Sequence, residues 1–303
     1  MKRVCLVIAQ ISLLSLFLSG CDTDNKSESL IEGATPTVSG LTMTYGLYPQ
    51  TNVNDHKLVS ALNELDSPGI NGWYLYEGNY YAKTVALARK DPRNPDFISK
   101  FDNGDIIYEG TTYWFKCEPI TWKTLKHLND VYTVVSNMLL DTHPYSSTGS
   151  NNYAESEIRS WLNGDFHSTA FALDDSHIRT TLVDNSPSTT EDENNPNACP
   201  NTEDKVFLLS SRDYYNENYG FYDLLEKQCK TTDWARARGA FVDSGWPNYK
   251  DLDNGAYWTR SPDSESNNMV QVVSGGGQVS LYSGGVTNAT VCVRPAISVF
   301  HKR

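Results

Sequence analysis

Val270-Gln271-Val272-Val273-Ser274-Gly275-Gly276-Gly277-Gln278-Val279-Ser280-Leu281-Tyr282 is the stretch on which the fold turns. Two β-prone runs flank a triple glycine, the signature of a hairpin closed by a glycine turn. A glycine-rich loop that cradles phosphate leads from a strand into a helix. Here it leads into a second strand, so the stretch predicts antiparallel sheet and gives no support to a nucleotide site.

Working outward, Ala256-Tyr257-Trp258-Thr259-Arg260-Ser261-Pro262 precedes the hairpin, and Val291 to Val299 reads as the last strand. Further back, Lys205 to Ser210 is a buried-type strand and Val131 to Ser136 a strong one. Ile158, Trp161 and Leu162 mark one face of a helix that Asn163-Gly164 should end, and Phe166, Ala170 and Phe171 continue as a short second helix. Ser211 is expected to cap a helix through Tyr219, and residues 184–203 and 226–256 read as long irregular loops.

The N-terminal part, residues 41–115, reads as β-rich. Asp55 caps a helix through Leu65, with apolar positions at Leu58, Val59, Leu62 and Leu65. Trp73–Tyr76 and Tyr80–Lys83 form a hairpin around Glu77-Gly78-Asn79, and Asp105–Tyr108 with Thr111–Phe115 form a second.

The first twenty residues read as a signal peptide. Lys2 and Arg3 precede an apolar run that ends in Leu18-Ser19-Gly20-Cys21, the lipobox pattern in which the cysteine thiol accepts diacylglycerol. Cleavage there makes Cys21 the lipidated N-terminus. Two or three acyl chains give stable anchoring, at about 0.8 kcal/mol for each buried CH₂. Residues 21–40 are then a polar tether, with the folded part starting near Leu41. The expected place is the bacterial cell envelope, facing the periplasm or the exterior.

The whole chain carries a net charge of −12, and removal of Lys2 and Arg3 makes it −14. With no basic stripe, nucleic acid and anionic headgroups are poor partners. Besides Cys5 and Cys21 there are Cys117, Cys199, Cys229 and Cys292. In an oxidising compartment an even number suggests two disulfides, with three pairings open. Cys199–Cys229, nearest in sequence, is favoured, which leaves Cys117–Cys292. Zinc is disfavoured by the absence of CxxC spacing and of neighbouring histidines.

No HExxH, GxSxG or phosphate loop occurs. Asp251-Leu252-Asp253-Asn254-Gly255 is a weak calcium candidate through Asp251 and Asp253, against its plainer reading as an acidic turn. The ligand-binding candidates are Trp234, Arg236, Tyr257, Trp258, Arg260 and Arg294, beside Arg238: arginine next to an aromatic ring can stack and hydrogen-bond a ligand. The plainer reading is that Arg260 and Arg294 brace loops and Trp258 lies in the core.

An ordered set of segments carries a family resemblance. It runs Ile120–Leu125, the strand at Val131, Ser156–Asn163, Asp204–Ser210, Tyr257–Pro262 and Val293–Ala296, with Tyr45–Gln50 ahead of it. The chain resembles the bacterial domain of unknown function DUF6273 over about residues 41–300, divided as 41–115 and a packed 116–303. That family looks like a distant relative of the C-type-lectin-like and formylglycine-generating-enzyme folds. The resemblance implies an α+β domain with two main helices, twisted antiparallel sheets and functional loops, and it brings the first and last strands close together. The chain departs from those relatives where function sits. It lacks the cysteine pair that binds copper, having only Cys292 after Cys229, and it lacks the Glu-Pro-Asn and Trp-Asn-Asp motifs of calcium lectins.

The expected function is therefore non-catalytic: a surface-displayed binding or adhesion module for a glycan or protein, with no required cofactor. A formylglycine-generating-type enzyme or accessory, and a structural envelope protein, are the alternatives.

Overall fold

A 17-residue strand, Thr112–Leu128, is the spine of the molecule. Its apolar side chains serve both faces of the sheet. Trp114 packs with Leu62, Tyr74 and Tyr81, Phe115 with Phe101 and Ala86 on the other face, and Trp122 in the main core. The computed structural model describes residues 31–87, 98–242 and 253–302, with backbone alone at Ile70 and at 280–282. The expected signal segment, Cys21, the first half of the expected tether and Asp251 lie outside the described residues.

Along the chain, β1 (Thr37–Ser39) and β2 (Thr42–Asn52) precede α1 (His56–Asn63). Next come β3 (Tyr74–Tyr76), β4 (Asn79–Val85), β5 (Thr112–Leu128) and β6 (Val131–Ser136). The short β7 (Met138–Leu139) and β8 (Asp141–Thr142) lead to α2 (Glu157–Trp161), a π-helical turn at Leu162–Phe166 and α3 (His167–Ala170). Then follow β9 (Ile178–Arg179), β10 (Thr181–Val183), β11 (Thr202–Asp204) and β12 (Val206–Phe207). The last part holds β13 (Lys230–Thr231), α4 (Asp233–Ala237), β14 (Tyr257–Pro262), β15 (Met269–Val273), β16 (Val279–Gly285), β17 (Cys292–Val293) and β18 (Ala296–Phe300).

Among the described residues the main sheet has nine antiparallel strands. Its path is β1-β2-β5-β6-β18-β12, with the β3–β4 hairpin joined through β4 to β5 and with β9 beside β18. A second sheet runs β16-β15-β14-β17-β8 and contains the glycine-turn hairpin, with β14 and β17 parallel. Met43, Trp122, Val134 and Ile297 from the first sheet meet Ile158, Leu162 and Phe166 from the helical segment and Trp258, Val270 and Val272 from the second. The architecture is mixed α+β, as expected.

Several boundaries differ from the sequence reading. Residues 105–108 make no strand beyond a Lys100–Ile106 bridge: β4 takes the edge of β5 at Thr112–Lys116, and the 105–107 backbone bonds instead to residues 99–101, Phe101 N donating to Asp105 O and Ile107 N to Ser99 O, each at 2.9 Å. The sheet begins at Thr37 rather than Leu41, since β1 pairs with β2. Asn163-Gly164 does not end its helix: the chain winds on through the π turn while Asn163 Oδ1 accepts from the Lys205 and Val206 amides at 2.8 and 3.2 Å. Ser211 caps nothing, and residues 212–215 and 217–219 are separate single 3₁₀ turns. Asp55 does cap α1, accepting from the Lys57 amide at 2.8 Å.

Candidate functional site

The six ligand candidates do not gather at one site: Trp234 and Arg236 share α4, Tyr257 and Arg294 are hydrogen-bonded to each other, and each of the six is engaged inside the protein. Trp234 sits in α4, capped by Thr232. Its indole donates to Asp141 Oδ2 at 3.0 Å and its ring meets Phe115 edge-on. Asp141, buried at the start of β8, also accepts from Tyr48 Oη at 2.7 Å, from Arg238 Nε at 2.6 Å and from the Thr142 amide at 2.7 Å. The carboxylate holds the Arg238 guanidinium in its charged form, while burial first and Asp141 second push the Tyr48 phenol well up.

Arg236, also in α4, donates from Nε to Thr231 Oγ1 at 2.8 Å. Its Nη2 lies 2.5 Å from Asp102 and 3.2 Å from Asp253. Lys230 stands 3.6 Å from Asp253 as well. The surviving half of the calcium candidate is thus turned toward two cations, and no cluster of metal-ligating side chains occurs among the described residues. Asp233 accepts from the Asn52 and Asp102 amides at 3.0 and 2.8 Å, and burial raises its carboxyl.

Arg260 in β14 braces three segments. Its Nη1 donates to Leu208 O at 2.9 Å and to Asp213 at 2.8 Å, and its other nitrogens to Asp184 O. Trp258 is buried and donates to His143 O at 2.9 Å. Tyr257 Oη donates to Lys227 O at 2.5 Å and accepts from Arg294 Nη1 at 3.0 Å. Arg260 thus ties loop segments together, Trp258 lies in the core, and Arg294 holds the Tyr257 hydroxyl.

The cysteines correct the disulfide expectation. Cys117, Cys199 and Cys229 are thiols, so neither Cys199–Cys229 nor Cys117–Cys292 is joined. Cys117 in β5 packs with Leu47, Trp73 and Ala82 in the main sheet, whereas Cys292 belongs to β17 of the second sheet. The first and last strands share a sheet, but this leaves the two sulfurs on different layers. Cys229 donates to Asn137 O at 3.4 Å, and Cys199 takes amide hydrogen bonds from Tyr153 and Ala154. Burial raises all three thiols, which disfavours the nucleophilic thiolate.

Sequence reasoning singled out none of Tyr48, Lys123, Asp141, Tyr214 and Phe221 as functional, since they come from separate stretches of the chain, Tyr214 and Phe221 apart, and carry no spacing signal. The segment 212–227 turns through three short 3₁₀ turns and presents Tyr215 (48 % exposed), Tyr222 (69 %) and Leu225 (68 %) to solvent. Tyr215 Oη donates to Glu191 at 2.9 Å, and the phenol is pushed up to about 12 by partial burial and by that carboxylate. Lys227 Nζ lies over the Tyr215 ring at 4.8 Å. The glycine turn of the hairpin backs this segment: a Cβ on Gly277 would come within 2.1 Å of Leu224 O.

The family described as a domain of unknown function, DUF6273, matches residues 129–300, which include every one of the six candidates. No curated protein and no solved structure matches the chain. The match covers more than half of the sequence, and the chain belongs to the DUF6273 family.

Proposed function

We propose that this chain is a non-catalytic recognition module, displayed at the bacterial cell envelope by acyl chains on Cys21, that binds glycan through the outer face of residues 212–227. The observation that carries the reading is the exposure of Tyr215, Tyr222 and Leu225 on a segment backed by a sheet hairpin. Tyrosine offers a flat apolar face with little rotamer freedom to lose, and Asn216, Asn218 and Glu217 beside it offer polar partners for hydroxyls. A C-type-lectin-like arrangement fits the same picture: antiparallel sheets with function on long irregular loops.

Two experiments test this. Labelled palmitate should enter the wild-type protein in bacterial cells and not Cys21→Ser; equal labelling of both would remove the anchor. On a glycan array, the wild type should bind a defined sugar set and Tyr222→Ala should weaken that binding roughly tenfold, as loss of an aromatic anchor does. A clean negative array, with binding to envelope proteins instead, would turn the reading toward a protein ligand.

A further inference from the structure

Most buried arginines in this fold meet a carboxylate: Arg236 has Asp102 and Asp253, and Arg260 has Asp213. Arg294 does not. It is 3 % exposed, in the two-residue link between β17 and β18. Its Nε donates to Ser136 O at 3.0 Å and its Nη1 to Tyr257 Oη at 3.0 Å. Both acceptors are neutral, Nη2 has no acceptor, and no carboxylate reaches ion-pair distance among the described residues. Leaving a guanidinium inside a protein without a counter-charge is costly.

A second cation stands beside it. Lys123 Nζ lies 4.3 Å from the centroid of the Phe221 ring, and Arg294 Cζ lies 5.9 Å from the same centroid. The two charges are therefore no more than about 10 Å apart. Lys123 donates to Gly220 O at 2.6 Å, again a neutral acceptor. Burial first and the Arg294 charge second weaken its hold on a proton; Glu226 acts the other way without forming an ion pair. A third group completes the cluster. Tyr214, fully buried, packs on Phe221 and Tyr257 at 5.0 and 5.5 Å between centroids, and its hydroxyl lies beside the Tyr257 hydroxyl without a well-formed hydrogen bond.

We propose that Arg294, Lys123 and the Tyr214 hydroxyl form a binding site for a compact oxyanion, a phosphate or sulfate group. Guanidinium, ammonium and phenol are all donors, and together they supply the positive charge and hydrogen-bond donors that such a group takes. Phe221 and the 3₁₀ turns of the 212–227 segment cover the cluster, so an anion there ties that segment to β5 and to the chain entering β18. The site stands independently of glycan recognition by Tyr222.

The test is calorimetric titration of the full chain with inorganic phosphate and with sulfate, each at constant ionic strength, and with glucose 6-phosphate in parallel. A saturable heat with one anion per chain is expected. Lys123→Met should weaken it by at least about tenfold, the usual scale for losing a charge-assisted hydrogen bond. Tyr214→Phe, which keeps the ring, should weaken it severalfold, and Lys205→Met, remote and paired with Asp175, should leave it unchanged. Tighter binding of inorganic phosphate than of glucose 6-phosphate marks a free anion as the occupant; the reverse marks a group carried on a larger ligand. No saturable heat with any probe, or equal affinity in Lys123→Met and wild type, overturns the site. Tyr222→Ala should retain the anion heat whether or not it loses glycan.

Discussion

Asp141 accepts from a phenol, an indole, a guanidinium and a backbone amide. Its four donors come from β2, β8, α4 and the residue after α4, so the carboxylate fixes how the helix sits against the main sheet. Asp141→Asn keeps the shape, removes the charge and turns an amide donor toward groups that are themselves donors. The expected loss is about 2–3 kcal/mol in urea unfolding; the figure stays below that for a fully enclosed pair because Arg238 reaches solvent. Little of this was legible in the sequence. Asp141 follows Met138-Leu139-Leu140 with nothing to distinguish it, and its partners Tyr48 and Trp234 both lie 93 residues away. The arginines were easier to find because buried-type strands rarely carry them, yet a sequence cannot say whether such an arginine meets a backbone carbonyl or a ligand.

Elements whose signal is local were read well. The Asp55 cap, the Glu77-Gly78 turn and the glycine-turn hairpin each depend on residues within a few positions of one another. Elements set by partners were not. The Asp105–Tyr108 strand fails because β4 takes the edge of β5 and the 105–107 backbone bonds to residues 99–101, and the helix runs past Asn163 because that side chain binds the Lys205 and Val206 amides instead of closing the turn. Asn163 also donates to Val206 O at 2.9 Å, so Asn163→Ala leaves two amides and a carbonyl of a buried strand without their partner. We expect a cost of about 2–3 kcal/mol, read by chemical denaturation. Gly46 tests the packing of β2 on the helical segment. It has a φ of +77°, and a Cβ there would meet Phe171 Cε1 at 2.7 Å and Ala170 O at 2.9 Å. Gly78 has a φ of +76° and open space around it. Gly46→Ala should therefore cost about 3 kcal/mol and Gly78→Ala only about 1 kcal/mol, a gap that thermal melts of the two variants would show.

For the molecule as a whole, acid should act through His167. The ring is mostly buried beside Asp175 and Lys205, and burial first and Lys205 second lower its pKa below 6.5. The unfolded chain then takes up this proton more readily than the folded one. Stability is complete above the unfolded value and falls as the pH drops below about 6.5 toward the folded value. A series of melting temperatures between pH 7.5 and 5 should show that decline, and His167→Gln should flatten it; an unchanged slope would place the acid sensitivity elsewhere. The β-rich, antiparallel character of the whole was legible in alternation and turns, whereas the joining of residues 41–115 to the rest was not, because β5 crosses the expected division at residue 116. The matched family region opens at residue 129, one position after β5 ends. A fragment cut at that point would lose the strand that pairs with β6 and bare a row of unbonded amides and carbonyls. Such a raw border invites neighbouring molecules to dock along it. Residues 129–303 expressed alone should accordingly come out as aggregate, where residues 31–303 stay monodisperse.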